Sequence, residues 1–361
     1  MFSTLLVALA SLGPATAMFG SGTAEIDEAI DVKDRLNRRD TTGFEDRLDV
    51  GDNFHAYIGH YDEATVEELR NSPDVAYVEE DAIVSIAAVK TQNGATWALH
   101  SMANRDAGDK MQYFYHESAG KGTYAYVIDN GIDIMNPEFE GRAEFGWTAR
   151  DGKVTDPHGT GVAGLIASKT FGVAKKGNLV AVQWAVKNAT RTPGRKGRSV
   201  INLSVGAPVR MGDKAWGNLV KAAVREGVPV VVSAGNDDMD AREWTPANSP
   251  HAITVGGIDK DWNRWPGSNY GPSVDVHAPA KDVVSIGLGG KLYKESGTSF
   301  SSPLVAGLVM QLLGKDIADR KTLSSPESLK RRIVKMSTQS KIKDMKPGTP
   351  NRIAFNGGAH Q

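Results

Sequence analysis

Gly297-Thr298-Ser299-Phe300-Ser301-Ser302-Pro303 gathers small residues around one serine. Apolar residues follow at three- and four-residue steps: Leu304, Val305, Leu308, Val309, Leu312 and Leu313. This spacing predicts a helix with Ser299 at or just before its first turn. Free N–H groups and the positive end of the helix dipole favour developing negative charge there, which suits a nucleophile. Taken alone, Thr298 or Ser299 reads rather as a helix cap. Three other stretches bear on the choice. Asp129 ends the apolar run Tyr124-Ala125-Tyr126-Val127-Ile128. It is either a turn former before Asn130-Gly131 or a carboxylate that holds a histidine in one tautomer. His158 heads the small-residue stretch His158-Gly159-Thr160-Gly161 after Asp156-Pro157. It is either a capping residue or a proton acceptor near neutrality. Asn236 closes Val230-Val231-Val232-Ser233-Ala234-Gly235-Asn236. It is either a strand-ending turn residue or an amide donor to an oxyanion.

The elements that must position these residues are legible as apolar runs. Strand-like runs are read at 123–128, 179–182, 200–205, 228–233, 252–256, 274–277 and 283–286, and helix-like ones at 161–168, 216–226, 301–313 and 326–336. Their alternation predicts an α/β domain with a mainly parallel central sheet and helices on both faces. Function in such sheets gathers at the carboxyl ends of the strands.

Upstream, Phe54–Gly59 alternates like a strand, Asp62 can cap a helix over 63–70, and a second strand is read at Val75–Glu79. This small α+β unit has little core of its own. Residues 18–50 are polar and carry little periodicity. The apolar run Met1–Ala10, followed by Ala15-Thr16-Ala17, has the form of a signal peptide ending at residue 17. The expected organisation is a leader at 1–17, a small domain at 18–87 and a large domain at 88–361. The balance of 42 Lys+Arg against 43 Asp+Glu gives no reason to expect nucleic-acid or membrane partners. The absence of cysteine excludes disulfides and thiolate metal sites.

The order Asp129, His158, Asn236, Ser299 along the chain, with each residue at a strand end or helix start, resembles the subtilisin-like serine proteases. Within that family the chain looks most like the fungal proteinase K group. The resemblance covers nearly everything after Ala88, including Gly94-Ala95-Thr96-Trp97-Ala98-Leu99 at the expected mature start. It implies that Ser299 attacks the scissile carbonyl, His158 carries the proton and Asp129 orients His158. Asn236 and the backbone N–H of Ser299 would bind the oxyanion. Ser204-Val205-Gly206 and Ser233-Ala234-Gly235 would form the walls of a roomy first specificity pocket for apolar or aromatic residues. Tyr77-Val78-Glu79-Glu80-Asp81 resembles the closing strand of the family's propeptide. A self-inhibitory propeptide cleaved near Ala87 or Ala88 is therefore implied, as is a secreted or vacuolar monomer acting on proteins and peptides.

Several residues depart from the family pattern. Asn130 stands in place of Thr or Ser, Gly161 in place of a second His, and Phe300 and Leu304 in place of frequent Met and His. Only Gln183–Arg198 lies between two strand-like runs where the family has a Gly-rich edge segment and a long helix. About two helical turns fit there, so the edge that pairs with extended substrate is expected to be missing. The leading expectation is an active endopeptidase. The other is a non-catalytic relative, a protein-binding module or a truncated gene product. The family often binds structural calcium, and Pro250, Ala252 and Asp275 fall near one such site by position. One carboxylate with carbonyls is a thin ligand set, and no cofactor or metal is expected to be required. Asn188-Ala189-Thr190 is a glycosylation sequon in a loop.

Overall fold

The computed structural model describes residues 3–10, 44–50, 54–61, 63–72, 75, 77–80, 89–146, 154–181, 185–211 and 213–358. The chain divides into two compact units, Met1–Ile86 and Ala87–Gln361.

In the first unit four strands pair antiparallel in the order Phe44–Val50, Phe54–Tyr61, Ser3–Ala10, Tyr77–Glu80. The helix Glu63–Arg70 matches its sequence-read bounds and buries Val66 and Leu69. Two strands lie where the sequence suggested none. Phe44–Val50 falls in the polar segment, and Ser3–Ala10 falls in the apolar run read as a leader. The proposed leader cleavage site at residue 17 lies outside the described residues.

The second unit is built on a nine-stranded sheet. Its order is Thr338–Gln339, Arg352–Ile353, Val276–Pro279, Ile253–Ile258, Val230–Ser233, Ser199–Leu203, Tyr124–Ile128, Asn178–Ala181, Ala143–Phe145. All neighbours run parallel except the first pair. Alternation along each strand feeds two cores. Ala125, Val127, Val200 and Val231 pack with the helices His158–Ala167 and Thr298–Ala318. Tyr126, Ile201, Leu203, Val230 and Val232 pack with Val220 and Ala223 of the helix Asp213–Arg225. A strand buried on both faces reads as a continuous apolar run for this reason.

The run 283–286 does not join this sheet. Val283–Ile286 pairs antiparallel with Leu292–Glu295 as a separate hairpin. Only Ala280, Lys281 and Asp282 separate it from the sheet strand ending at Pro279, far too few for the dozen or so residues of a parallel crossover.

Between Asn178–Ala181 and Ser199–Leu203 the crossover contains the short helix Ala185–Arg191, and no strand lies there among the described residues. The helix is anchored. Ala185 and Ala189 are buried, and Asn188 Oδ1 accepts from Tyr126 Oη at 2.7 Å and Arg195 Nη1 at 2.8 Å. Arg195 also pairs with Glu144 and lies 4.6 Å from the Tyr124 ring centroid, a cation–π contact. Beside this helix a cavity of ≈ 440 Å³ opens toward Leu219 and Ala223.

Candidate active site

Three adjacent parallel strands deliver the site. Ile128 pairs with Leu203, and Leu203 with Val232, so Asp129, Ser204 and Ser233 lie side by side at the carboxyl ends. Tyr124–Ile128 also separates strands added toward one edge from those added toward the other, the place where open α/β sheets bind ligands.

Two helices bring the remaining groups to that edge. His158 is the first residue of His158–Ala167, and Asp156 Oδ1 accepts its backbone N–H at 2.8 Å. The helix comes very close to the Asp129 turn. A Cβ on Gly159 would lie 2.3 Å from Gly131 O, and the Gly159 N–H instead donates to Asn130 Oδ1 at 3.0 Å. Asn130 thereby joins the two stretches. Gly161 is small because Tyr293 fills the space beside it, where a Cβ would come within 2.8 Å of the ring.

His158 Nδ1 lies 2.9 Å and 3.1 Å from the two carboxylate oxygens of Asp129. The Asp129 side chain is 3 % exposed and that of His158 is 26 % exposed. Burial works to lower the His158 pKa, but the hydrogen bond and charge of Asp129, with the charges of Asp156 and Glu295, raise it above its ordinary value. The His158 imidazole meets the Phe300 ring in a T-shaped contact, with centroids 5.6 Å apart. Phe300 follows Ser299 directly, so this contact sets the two helix starts against each other.

Thr298–Ala318 is capped by Gly297, without a side-chain cap. Neither Thr298 nor Ser299 is the cap that local sequence allowed, since both are helical and their hydroxyls are engaged elsewhere. Thr298 Oγ1 donates to Asn236 Oδ1 at 2.7 Å, and the Thr298 N–H reaches the same oxygen at 2.8 Å. Both donors use Oδ1, so the Asn236 Nδ2–H₂ group takes no part in these bonds. Asn236 itself is exposed. The half-buried Ser299 donates its hydroxyl to Ser204 O at 3.2 Å.

The residues expected to wall a specificity pocket end or follow two adjacent sheet strands. Ser204, Ser233, Ala234 and Gly235 are buried, Val205 is half-buried and Gly206 is exposed. Trp244, which the sequence did not single out, lies against both walls. A Cβ on Gly206 would sit 2.2 Å from Trp244 Nε1, and one on Gly235 would sit 3.1 Å from Trp244 Cδ1. The only local signal was its position in Glu243-Trp244-Thr245-Pro246, soon after Asn236.

The oxygens expected by resemblance to hold calcium already face a cation. Lys330 Nζ lies 3.2 Å from Pro250 O, 2.6 Å from Ala252 O and 2.9 Å from Asp275 Oδ2. With Lys330 Nζ among them, these oxygens do not fit a metal. Among the described residues no group of three or more His, Asp or Glu is arranged to hold one.

Asp129 and His158 thus form a buried pair at a strand end and a helix start, and Ser299 stands in the first turn of a second helix, on a parallel sheet covered on both faces. Residues 120–355 match the model of the Subtilase family, and residues 32–87 match that of the Peptidase inhibitor I9 family. The chain is 40 % identical over 338 residues to Alkaline protease 1 of Aspergillus clavatus, covering 88 % of this chain and 81 % of that protein. It is 39 % identical over 357 residues to an alkaline proteinase of Hapsidospora chrysogena, covering 90 % and 86 %. A crystal structure of a cold-adapted subtilisin-like serine proteinase superposes with a TM-score of 0.66 at 29 % identity, covering 73 % of this chain and 98 % of that one. The chain belongs to the subtilase family of serine endopeptidases and carries an inhibitor-type propeptide domain ahead of its catalytic domain.

Proposed function

We propose that Ser299, His158 and Asp129 form a catalytic triad that hydrolyses peptide bonds. Ser299 Oγ adds to the scissile carbonyl carbon while its proton passes to His158 Nε2. The carbonyl oxygen becomes an oxyanion held by Asn236 Nδ2 and the Ser299 N–H at the helix start. Collapse expels the amine, which takes the proton from His158, and leaves an acyl-serine. Water then repeats the sequence, releasing the acid and restoring Ser299. The observation that carries this reading is the bond from His158 Nδ1 to the buried Asp129 carboxylate. It fixes the tautomer with Nε2 free to accept.

The pocket between Ser204-Val205-Gly206 and Ser233-Ala234-Gly235 takes apolar or aromatic side chains, with broad preference. Residues 18–87 act as chaperone and inhibitor and are cut off near Ala87 or Ala88. The mature protein is a secreted monomer that acts on proteins and peptides without a cofactor. Purified precursor is expected to cut itself near Ala88, and Ser299→Ala is expected to remain whole. A fluorophosphonate probe is expected to label the parent and not the variant. The absence of a strand between Ala181 and Ser199 among the described residues favours the non-catalytic reading. That reading prevails if the parent stays uncut and unlabelled.

Secretion has its own test, because Ser3–Ala10 also pairs within the first unit's sheet. N-terminal sequencing of Ser299→Ala protein recovered from the medium distinguishes the two roles. A start at Met18 supports the leader, and an intact Met1 assigns the segment to the propeptide.

A further inference from the structure

Lys330 projects from the helix Pro326–Met336 into a cluster of three oxygens contributed by two other segments. Pro250 O and Ala252 O come from the turn before the strand Ile253–Ile258, and Asp275 Oδ2 lies just before the strand Val276–Pro279. The Lys330 and Asp275 side chains are 26 % and 15 % exposed. Asp275 Oδ2 also accepts the Thr254 N–H at 2.9 Å. Burial pushes the Asp275 carboxyl above its usual range, against the opposing charge of Lys330.

Two carbonyls and a carboxylate converging on one point form a cation cage by their chemistry. Calcium would need six to eight oxygens at about 2.3–2.6 Å. An ammonium needs only three acceptors for its three N–H bonds, at ordinary hydrogen-bond lengths. The cluster supplies that number at those distances, and the lysine stem brings the charge in covalently.

We infer that Lys330 is a built-in cation that stands in for a divalent metal at the Pro250–Ala252–Asp275 cluster and holds this part of the fold without calcium. The turn it clamps is continuous with Trp244-Thr245, where Trp244 lies against both pocket walls. The clamp therefore holds this turn whatever the free calcium concentration. The inference stands apart from the catalytic assignment, and its test uses protein that cannot digest itself.

Thermal unfolding of full-length Ser299→Ala is compared in excess EGTA and in millimolar calcium chloride. Ser299→Ala is expected to unfold at the same temperature in both. Adding Lys330→Ala is expected to lower the midpoint in EGTA by roughly 5 °C. Calcium is expected to recover part of that loss, and Asp275→Asn to abolish the recovery. A Lys330→Ala protein that unfolds at the parent's temperature, or that calcium does not stabilise, overturns the inference. Calorimetric titration of calcium into the Lys330-containing chain needs no lysine variant. Finding no calcium binding that depends on Asp275 sustains the inference, whereas binding lost on Asp275→Asn overturns it.

Discussion

Ser204 and Ser299 exchange two hydrogen bonds: Ser204 Oγ donates to Ser299 O at 2.9 Å, and Ser299 Oγ donates to Ser204 O at 3.2 Å. The first bond has a cause in sequence. Pro303 lies inside the helix and has no N–H to give the carbonyl four residues back, which is that of Ser299. Ser204 supplies the missing donor. Its single proton is then committed, so Asn202 Nδ2 and Ser302 Oγ must act as donors to Ser204 Oγ.

Ser204→Ala is therefore expected to leave the Ser299 carbonyl without its donor and to cost about 1–3 kcal/mol. Pro303→Ala restores a helix N–H aimed at the same oxygen. It should be less harmful, or favourable, in the Ser204→Ala background than in the parent. Denaturant unfolding of the four proteins in the Ser299→Ala background measures this coupling. Strict additivity would remove Pro303 as the reason for the Ser204 bond.

The pH dependence of turnover follows from the charges around His158. The base must be neutral, so activity rises as pH climbs through the His158 pKa. Asp129, Asp156 and Glu295 favour the imidazolium and move that rise to higher pH. Asp156→Asn removes one negative charge but keeps an oxygen to accept the His158 N–H. Its pKa should fall, and the acid limb of kcat/KM should move to lower pH. Glu295→Gln should act in the same direction and by less. Asp129→Asn differs in kind because it loses the tautomer, and kcat should drop by about 10⁴-fold. An acid limb unmoved by Asp156→Asn would show that another group sets it.

What could be read from sequence here was local. Ser299 was recognisable because a helical pattern starts beside it, and Asp129 because a buried strand stops at it. Their chain order with His158 and Asn236 then carried the chemistry. Asn130 and Trp244 escaped because their roles lie in contacts with Gly159, Gly206 and Gly235, which no periodicity reports. Lys330 escaped for the same reason, since its three oxygens lie 80, 78 and 55 residues away in sequence. The strand Val283–Ile286 had the right pattern and the wrong partner, because strand period does not name the neighbour. Arg352–Ile353 joins the main sheet with only two residues, too short to leave any pattern.

Trp244 should set the depth of the proposed pocket. Trp244→Ala removes the indole that lies against Gly206 and Gly235. The specificity ratio, kcat/KM for a bulky aromatic residue before the cut over that for a small one, should rise by roughly tenfold. Paired chromogenic peptides differing only at that residue read the ratio directly. If both substrates lose activity equally, Trp244 supports the walls without bounding the pocket.

The helix that carries His158 is held by close approach, and two glycines separate that effect from propensity. A Cβ on Gly164 would lie 2.5 Å from Ser285 Oγ and 2.6 Å from Ile286 Cγ1. Gly164→Ala must push the helix off the Val283–Ile286 hairpin. It should cost about 1–3 kcal/mol, with kcat falling as His158 moves. Gly217 sits in the helix Asp213–Arg225, and a Cβ there would meet nothing within 4 Å. Gly217→Ala should instead stabilise by about 0.5–1 kcal/mol through helix propensity and leave kcat unchanged. The same substitution in two helices thus carries opposite signs. Equal effects at both sites would mean that backbone entropy, rather than the contact with Ser285 and Ile286, governs how His158 is placed.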